Sequence, residues 1–165
     1  MLTKEQLKRL NDQVNREASV SRAYLAVSCW AASKGLDGVA RFFKGHHEEE
    51  EEHMHKIENY IISTGGKVVI GAIEAPPSEF KDVLSVLKMA LKKEIEISSS
   101  INEMVYLFLE EKNYSTFNFL QWFVAEQHQE EHLFRSLIEK AELIGTDKKG
   151  LFWIDKELKN MSLNK

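Results

Sequence analysis

The chain has 165 residues, with only 2 Pro and 8 Gly, which predicts one all-α domain over 1–165. A single cysteine, Cys29, excludes a disulfide framework, and its apolar helical context favours a position in the core. A formal net charge of −4 argues against nucleic acid or an anionic membrane as the main partner. No apolar run reaches membrane-spanning length and the N-terminus has no signal-peptide pattern, so we expect a cytoplasmic location.

The first predicted helix begins at Thr3, which has Gln6 three residues on in the spacing of a capping box, and ends at Lys34-Gly35. Its apolar stripe contains one acid, Glu17, and seven residues later Tyr24, so both side chains lie on one face of the helix. A buried carboxylate without a partner is very costly, so an acid in this position must be paired or bind a metal.

The second predicted helix contains five consecutive glutamates, residues 48–52. Its apolar stripe from Phe43 to Ile57 passes through Glu50 and His53, which are three residues apart. Glu52 and His55 repeat that spacing but lie about 200° further round the helix, so they are expected to face water. A solvated face explains most of an acidic run, but it does not explain Glu50 and His53.

Asp37 is expected to cap this second helix, which stops at Gly65-Gly66. The connection that follows, residues 67–81, is unusually long for two helices of a bundle. About 16 extended residues span roughly 50 Å, so the connection is long enough to run the length of the bundle. One such crossover is a property of ferritin-like folds.

The third predicted helix covers about 82–112 and places Glu94 among leucines. The fourth begins after a short turn at 113–115 and runs to about Ile144, with Gln127 on its inner face. Glu130 and Glu131 flank that face on opposite sides, and periodicity does not choose between them. The bundle is thus predicted over about 3–145, followed by a short C-terminal helix at about 150–163.

Metal-capable side chains recur near the middle of all four long helices, inside apolar stripes. They are Glu17, Glu50 with His53, Glu94, and Gln127 with Glu130. In a bundle with one crossover, mid-helix positions meet at one level. Carboxylates with one imidazole suit a hard or borderline cation, and Glu50 is placed to bridge two ions. Because the only imidazole would serve one ion, the two ions are expected to differ in affinity.

Several motifs make the sequence similar to the bacterial non-haem ferritins of the ferritin A type over nearly the whole chain. The strongest is 116–122 (TFNFLQW) with 126–128 (EQH), supported by 10–13 (LNDQ), by Glu50-x-x-His53 and by 150–155 (GLFWID). The resemblance implies a ferroxidase that oxidises iron(II) with O2 or H2O2. It also implies a homo-oligomeric shell of 24 subunits that stores ferric mineral.

The resemblance also implies roles for individual residues. The first iron site would use Glu17, Glu50 and His53, and the second would use Glu50, Glu94 and Glu130 with Gln127 close by. Tyr24 would hydrogen-bond to the centre and supply an electron. A third iron site would use Glu49, Glu126 and Glu130, but Gln129 stands where the family pattern has a glutamate, so weaker binding of a third iron is expected.

Glu52 stands where bacterioferritins place a haem-ligand methionine, so no haem is expected. The remaining histidines, His46, His47, His128 and His132, are interpreted as surface groups or as neighbours of the ligands. Two alternatives stay open: a storage shell that nucleates mineral without a working centre, and a helical interaction module whose inward acids only form hydrogen bonds.

Overall fold

The computed structural model describes residues 2–163, which form five α-helices and no strand. The helices are α1 (Lys4–Ser33), α2 (Asp37–Ser63), α3 (Val83–Glu110), α4 (Tyr114–Ile144) and α5 (Lys148–Leu163). Short connections join α1 to α2 and α3 to α4, and each of these pairs packs together along its length. The α5 helix packs mainly on α2. The predicted four-helix bundle with one long crossover and a short fifth helix is confirmed.

Two of the helix starts follow from local sequence. Thr3 and Gln6 form the predicted capping box, with the Gln6 backbone N–H donating to Thr3 Oγ1 at 3.2 Å. Asp82 caps α3 in the same manner, because its Oδ1 accepts from the Ser85 N–H at 2.7 Å.

The cap predicted for α2 is wrong. Leu36 occupies the N-cap position without a side-chain hydrogen bond, and Asp37 is already the first helical residue. The acceptor for the first turn instead comes from another helix, since the Val39 backbone N–H donates to Asp155 Oδ1 of α5 at 2.9 Å. A residue 116 positions further along the chain therefore takes the role of a local cap.

The crossover between α2 and α3 runs along α1 and is fastened to it by two asparagine side chains. Asn11 donates to the Lys67 carbonyl at 3.0 Å and accepts from the Val69 N–H at 2.6 Å. One turn on, Asn15 donates to the Val69 carbonyl at 2.9 Å and accepts from the Gly71 N–H at 2.6 Å. The two amides supply the partners that an extended backbone otherwise lacks.

Most core residues match the predicted stripes, and two features differ. Cys29 is exposed rather than in the core, because it points away from the bundle between the buried residues Ser28 and Trp30. On α3 the apolar spacing predicts a buried stripe that includes Leu84 and Leu91, but these two are half-buried, and Ile97, outside that stripe, is fully buried. Among residues 2–163 no helix is both long and apolar enough to cross a membrane.

Candidate metal centre

A cluster of acids with one histidine lies in the middle of the bundle. One ligand atom each of Glu17 (α1), Glu50 and His53 (both α2) lies within 4.8 Å of the others. All three side chains are buried, with exposed fractions of 0%, 1% and 5%. His53 Nδ1 lies 3.3 Å from Glu50 Oε2. By contrast Glu52 and His55 are exposed, as the helical period predicts.

The third helix contributes Glu94, which is fully buried and held by two neutral donors. The phenolic hydroxyl of Tyr24 donates to Glu94 Oε1, and Gln127 Nε2 of α4 donates to Glu94 Oε2 at 3.0 Å. Tyr24 and Gln127 therefore fix the orientation of this carboxylate from opposite helices. The structure thus brings the inward residues predicted on all four helices into one interior.

The choice between Glu130 and Glu131 is settled by the packing of α4. Glu130 is 6% exposed and points into the bundle. Glu131 lies at the surface edge, where it accepts from Ser98 Oγ and pairs with Arg135 one turn on. Glu130 is therefore the acid available to the cluster.

A second group of ligand atoms lies beside the first and includes His46, which the sequence analysis interpreted only as a surface group or a neighbour of the ligands. His46, Glu49 and Glu130 each offer one atom within 4.8 Å of the others. His46 Nε2 is 3.4 Å from Glu130 Oε2 and 3.8 Å from Glu49 Oε2. The helical spacing of the sequence indicates that His46 is buried: it follows Phe43 by three residues and precedes Glu50 by four, which places it on the buried stripe.

The other residues named from sequence lie further out. Glu126 is half-buried and belongs to neither group of ligand atoms, while the side chain of Gln129 is exposed. His47 is buried and its Nδ1 lies 2.7 Å from Ser21 Oγ, so it is not a surface group. His128 and His132 are exposed.

Burial and mutual repulsion shape the electrostatics of the cluster. Burial, followed by repulsion from Glu50, raises the pKa of Glu17 well above its ordinary value. Burial and repulsion from Glu94 raise the pKa of Glu50 in the same direction. Burial also raises the pKa of Glu94, to about 7, although the hydrogen bonds from Tyr24 and Gln127 oppose the rise.

Aromatic rings enclose the acids. The Tyr24 ring contacts Phe43 and Phe134, with centroid distances of 5.5 and 6.2 Å. The His53 ring lies edge-to-face with Trp122, with a centroid distance of 5.3 Å. These rings keep water away and lower the local dielectric, which strengthens any interaction between the carboxylates and a cation.

The donor set fits a metal ion on structural grounds. Glu17 and Glu50 interact through one side-chain hydrogen bond. Otherwise Glu17 Oε2, Glu50 Oε2 and Gln127 Oε1 have no hydrogen-bond partner among the described residues. Buried oxygens of this kind need either protons or a cation. Carboxylate oxygens with one imidazole nitrogen are suitable ligands for iron(II).

Residues 7–144 match the sequence profile of the ferritin family, described as a ferritin-like domain. The chain belongs to the ferritin family. This membership supports a role in iron storage. It also agrees with the acid-rich interior of the bundle.

Relatives cover nearly the whole ferritin chain. A probable bacterial non-heme ferritin-like protein of Haemophilus influenzae is 48% identical over 162 residues, which is 98% of each chain. A bacterial non-heme ferritin of Campylobacter jejuni is 41% identical over 165 residues, covering 100% of this chain and 99% of the relative. The solved open pore ferritin of Archaeoglobus fulgidus matches with a TM-score of 0.93 and 34% identity, over 96% of this chain and 98% of that one.

Proposed function

We propose that this ferritin is a ferroxidase that oxidises iron(II) with O2 or H2O2 and stores the product as ferric mineral. The observation that supports it most is the convergence of Glu17, Glu50 and His53 on one buried point, with Glu94 and Glu130 on the facing helices. Iron is the substrate and cargo of this chemistry. The reaction removes one electron from each of two neighbouring iron(II) ions and passes both to the oxidant. With two protons, O2 becomes hydrogen peroxide, or H2O2 becomes two water molecules.

In this proposal Glu17, Glu50 and His53 hold the first iron(II). Glu50, Glu94 and Glu130 hold the second, so Glu50 bridges the pair and Gln127 lies beside it. The carboxylates stabilise the positive charge that grows on oxidation. Glu49, Glu126 and Glu130 are proposed as a weaker third iron site, with His46 as a further neighbour.

Residues of the chain bind the protons that iron(II) displaces and orient the ligand carboxylates. Because Glu17, Glu50 and Glu94 have raised pKa values without a cation, iron(II) binding must displace protons from this cluster. Tyr24 holds Glu94 in place through its hydroxyl. It is also proposed to supply one further electron when O2 is reduced beyond peroxide, and its phenol loses the hydroxyl proton as it is oxidised. The aromatic enclosure limits side reactions with water.

We also propose that the protein works as a homo-oligomeric shell of 24 subunits in the cytoplasm, without haem and without nucleic acid or membrane as a partner. Exposed apolar side chains support subunit contacts, since isolated domains seldom expose many of them together. They include Ile70 on the crossover, 67% exposed, and Phe152 and Trp153 on α5, 64% and 54% exposed.

The chain offers a matched test of the catalytic assignment, because Glu50/His53 and Glu52/His55 share one spacing on one helix. Stopped-flow measurement of iron(II) oxidation is expected to show at least a tenfold slower initial rate for Glu50→Gln and for His53→Ala. Glu52→Gln and His55→Ala should retain the wild-type rate. If the wild-type protein oxidises iron(II) no faster than buffer does, the protein is a storage shell and not a ferroxidase.

A further inference from the structure

Trp122 of α4 connects the proposed iron centre with the surface of the bundle. Its ring lies edge-to-face with the buried ring of His53, with a centroid distance of 5.3 Å. The same side chain is 40% exposed, so solvent reaches it. A second oxidisable ring beside the acids, Tyr24, is 0% exposed. Trp122 is thus an indole that contacts both a proposed iron ligand and water.

A lysine lies over the face of this indole. Lys56 Nζ, three residues after His53 on α2, is 4.1 Å from the centroid of the Trp122 ring. The attraction holds the exposed ring against α2. The ammonium charge also opposes positive charge on the ring, so Trp122 must give up its indole proton when it is oxidised. The product is a neutral indolyl radical, and water takes up the proton.

A centre with two unequal iron sites needs a further electron donor when it is half-filled. Reduction of H2O2 to water takes two electrons, and a single iron(II) supplies only one. His53 is the one imidazole among the proposed ligands of the pair, so its site is expected to hold iron(II) more tightly and to fill first. Without a second donor, breaking the O–O bond yields a hydroxyl radical, which damages the protein.

We propose that Trp122 supplies the second electron when a single iron(II) at His53 meets H2O2. The iron(II) loses one electron and becomes iron(III), and Trp122 loses the other together with its indole proton. With one more proton from solvent, the O–O bond breaks and two water molecules form. The exposed radical then takes an electron and a proton from a reductant in solution, such as ascorbate. This relay rests on the proposed function only in placing iron(II) at His53.

Trp153 of α5 is a matched control. It is 54% exposed and has Lys156 Nζ 5.3 Å from its ring centroid, but its ring contacts Phe152 and not a proposed iron ligand. Assembled metal-free protein is given one iron(II) per subunit without oxygen, then one equivalent of H2O2, and is frozen for EPR. The wild type is expected to show a tryptophan radical, at least tenfold weaker in Trp122→Phe and unchanged in Trp153→Phe. Ring-deuterated tryptophan should narrow the signal, which distinguishes it from a tyrosyl radical of Tyr24.

Escape of hydroxyl radical, measured as its adduct with a spin trap in the same reaction, is a second readout. The adduct should rise at least threefold in Trp122→Phe and stay at the wild-type level in Trp122→Tyr, because tyrosine is oxidisable and phenylalanine is not. The two replacements differ by one hydroxyl group, so a loss of packing alone would affect both. Equal adduct yields in the two variants, or a radical signal that Trp122→Phe leaves unchanged, would overturn the relay.

Quenching of tryptophan fluorescence by Co(II), added without an oxidant, separates the relay from the proposed function. Quenching in the wild type that Trp122→Phe abolishes shows a metal ion beside His53. Such quenching without a tryptophan radical in the EPR experiment contradicts the relay and leaves the ferroxidase proposal intact. No quenching in the wild type contradicts the proposed iron site itself, and the relay with it.

Discussion

Tyr24 on α1 donates its phenolic hydrogen bond to Glu94 on α3, so the first and third helices are joined through the interior of the bundle. Gln127 on α4 donates to the other oxygen of the same carboxylate. Both donors favour the ionised form of Glu94, and burial opposes it more strongly, with a resulting pKa of about 7. Glu94 is thus balanced between its two protonation states near neutral pH.

Removing the tyrosine hydroxyl is expected to disturb this balance. Tyr24→Phe leaves Glu94 Oε1 without its donor, so the metal-free protein should lose about 1–2 kcal/mol of stability, measured as a lower thermal midpoint. The pKa of Glu94 should rise further. Tyr106→Phe on α3 is the control, because Tyr106 is 67% exposed. Equal midpoints for the two variants would show that the Tyr24 hydrogen bond contributes nothing to stability.

The raised pKa of Glu94 predicts a pH dependence of metal-free stability. An unfolded glutamate has a pKa of 4.5, and the folded value is about 7. Between those values the folded state binds more protons, so stability falls as pH rises from about 4.5 through 7. Glu94→Gln cannot take up this proton, so its fall in stability over that window should be smaller than the wild type's by about 1–3 kcal/mol.

Thermal midpoints of metal-free protein at pH 5, 6, 7 and 8 measure this difference. The slope should be reduced and not abolished in Glu94→Gln, since the pKa values of Glu17 and Glu50 are also raised. Glu96→Gln is the control on the same helix, because Glu96 is exposed. A wild-type slope in Glu94→Gln would mean that Glu94 does not hold a proton in the folded protein.

Those parts of the fold and of the metal centre that follow from the helical period could be predicted from the sequence. An acid in line with apolar residues must face the interior, and this places Glu17, Glu50 and Glu94 without any knowledge of the partner helices. The same argument separates Glu50 from Glu52. It does not separate Glu130 from Glu131, because both lie at the edges of the α4 stripe. That choice depends on Ser98 and Arg135, which hold Glu131 outside.

The features missed by sequence reasoning depend on packing between distant segments. Asp37 is a good local cap, yet Asp155 reaches the start of α2 from the other end of the chain. Cys29 lies in an apolar run, residues 29–32, in which every side chain looks suited to a core. Only the positions of the other helices decide which of them face water. The buried place of His46 was readable from its spacing to Phe43, but not its approach to Glu130.

A glutamate at position 129 is expected to strengthen the proposed third iron site. Gln129 is an exposed neutral residue next to Glu130, and an ionised carboxylate binds iron more strongly than an amide oxygen does. Anaerobic titration of Gln129→Glu with iron(II) should show tighter or additional binding per subunit, with an altered consumption of oxygen on oxidation. Asn118→Glu, at an exposed position on α4, is the control. An unchanged titration removes the role of position 129.

The contact between α2 and α5 predicts opposite effects for two glycines of α2. A Cβ at Gly38 would lie 1.8 Å from the Asp155 carbonyl oxygen, which is backbone and unable to move aside. Gly38→Ala should therefore cost about 1–3 kcal/mol and loosen α5. A Cβ at Gly45 meets nothing within 4 Å, so Gly45→Ala should stabilise the helix by about 0.5–1 kcal/mol.

Thermal midpoints measure the change in stability of both variants, and limited proteolysis measures the loosening of α5. If Gly38→Ala is as stable as Gly45→Ala, α5 does not lie this close to α2, and Asp155 is not the cap of that helix.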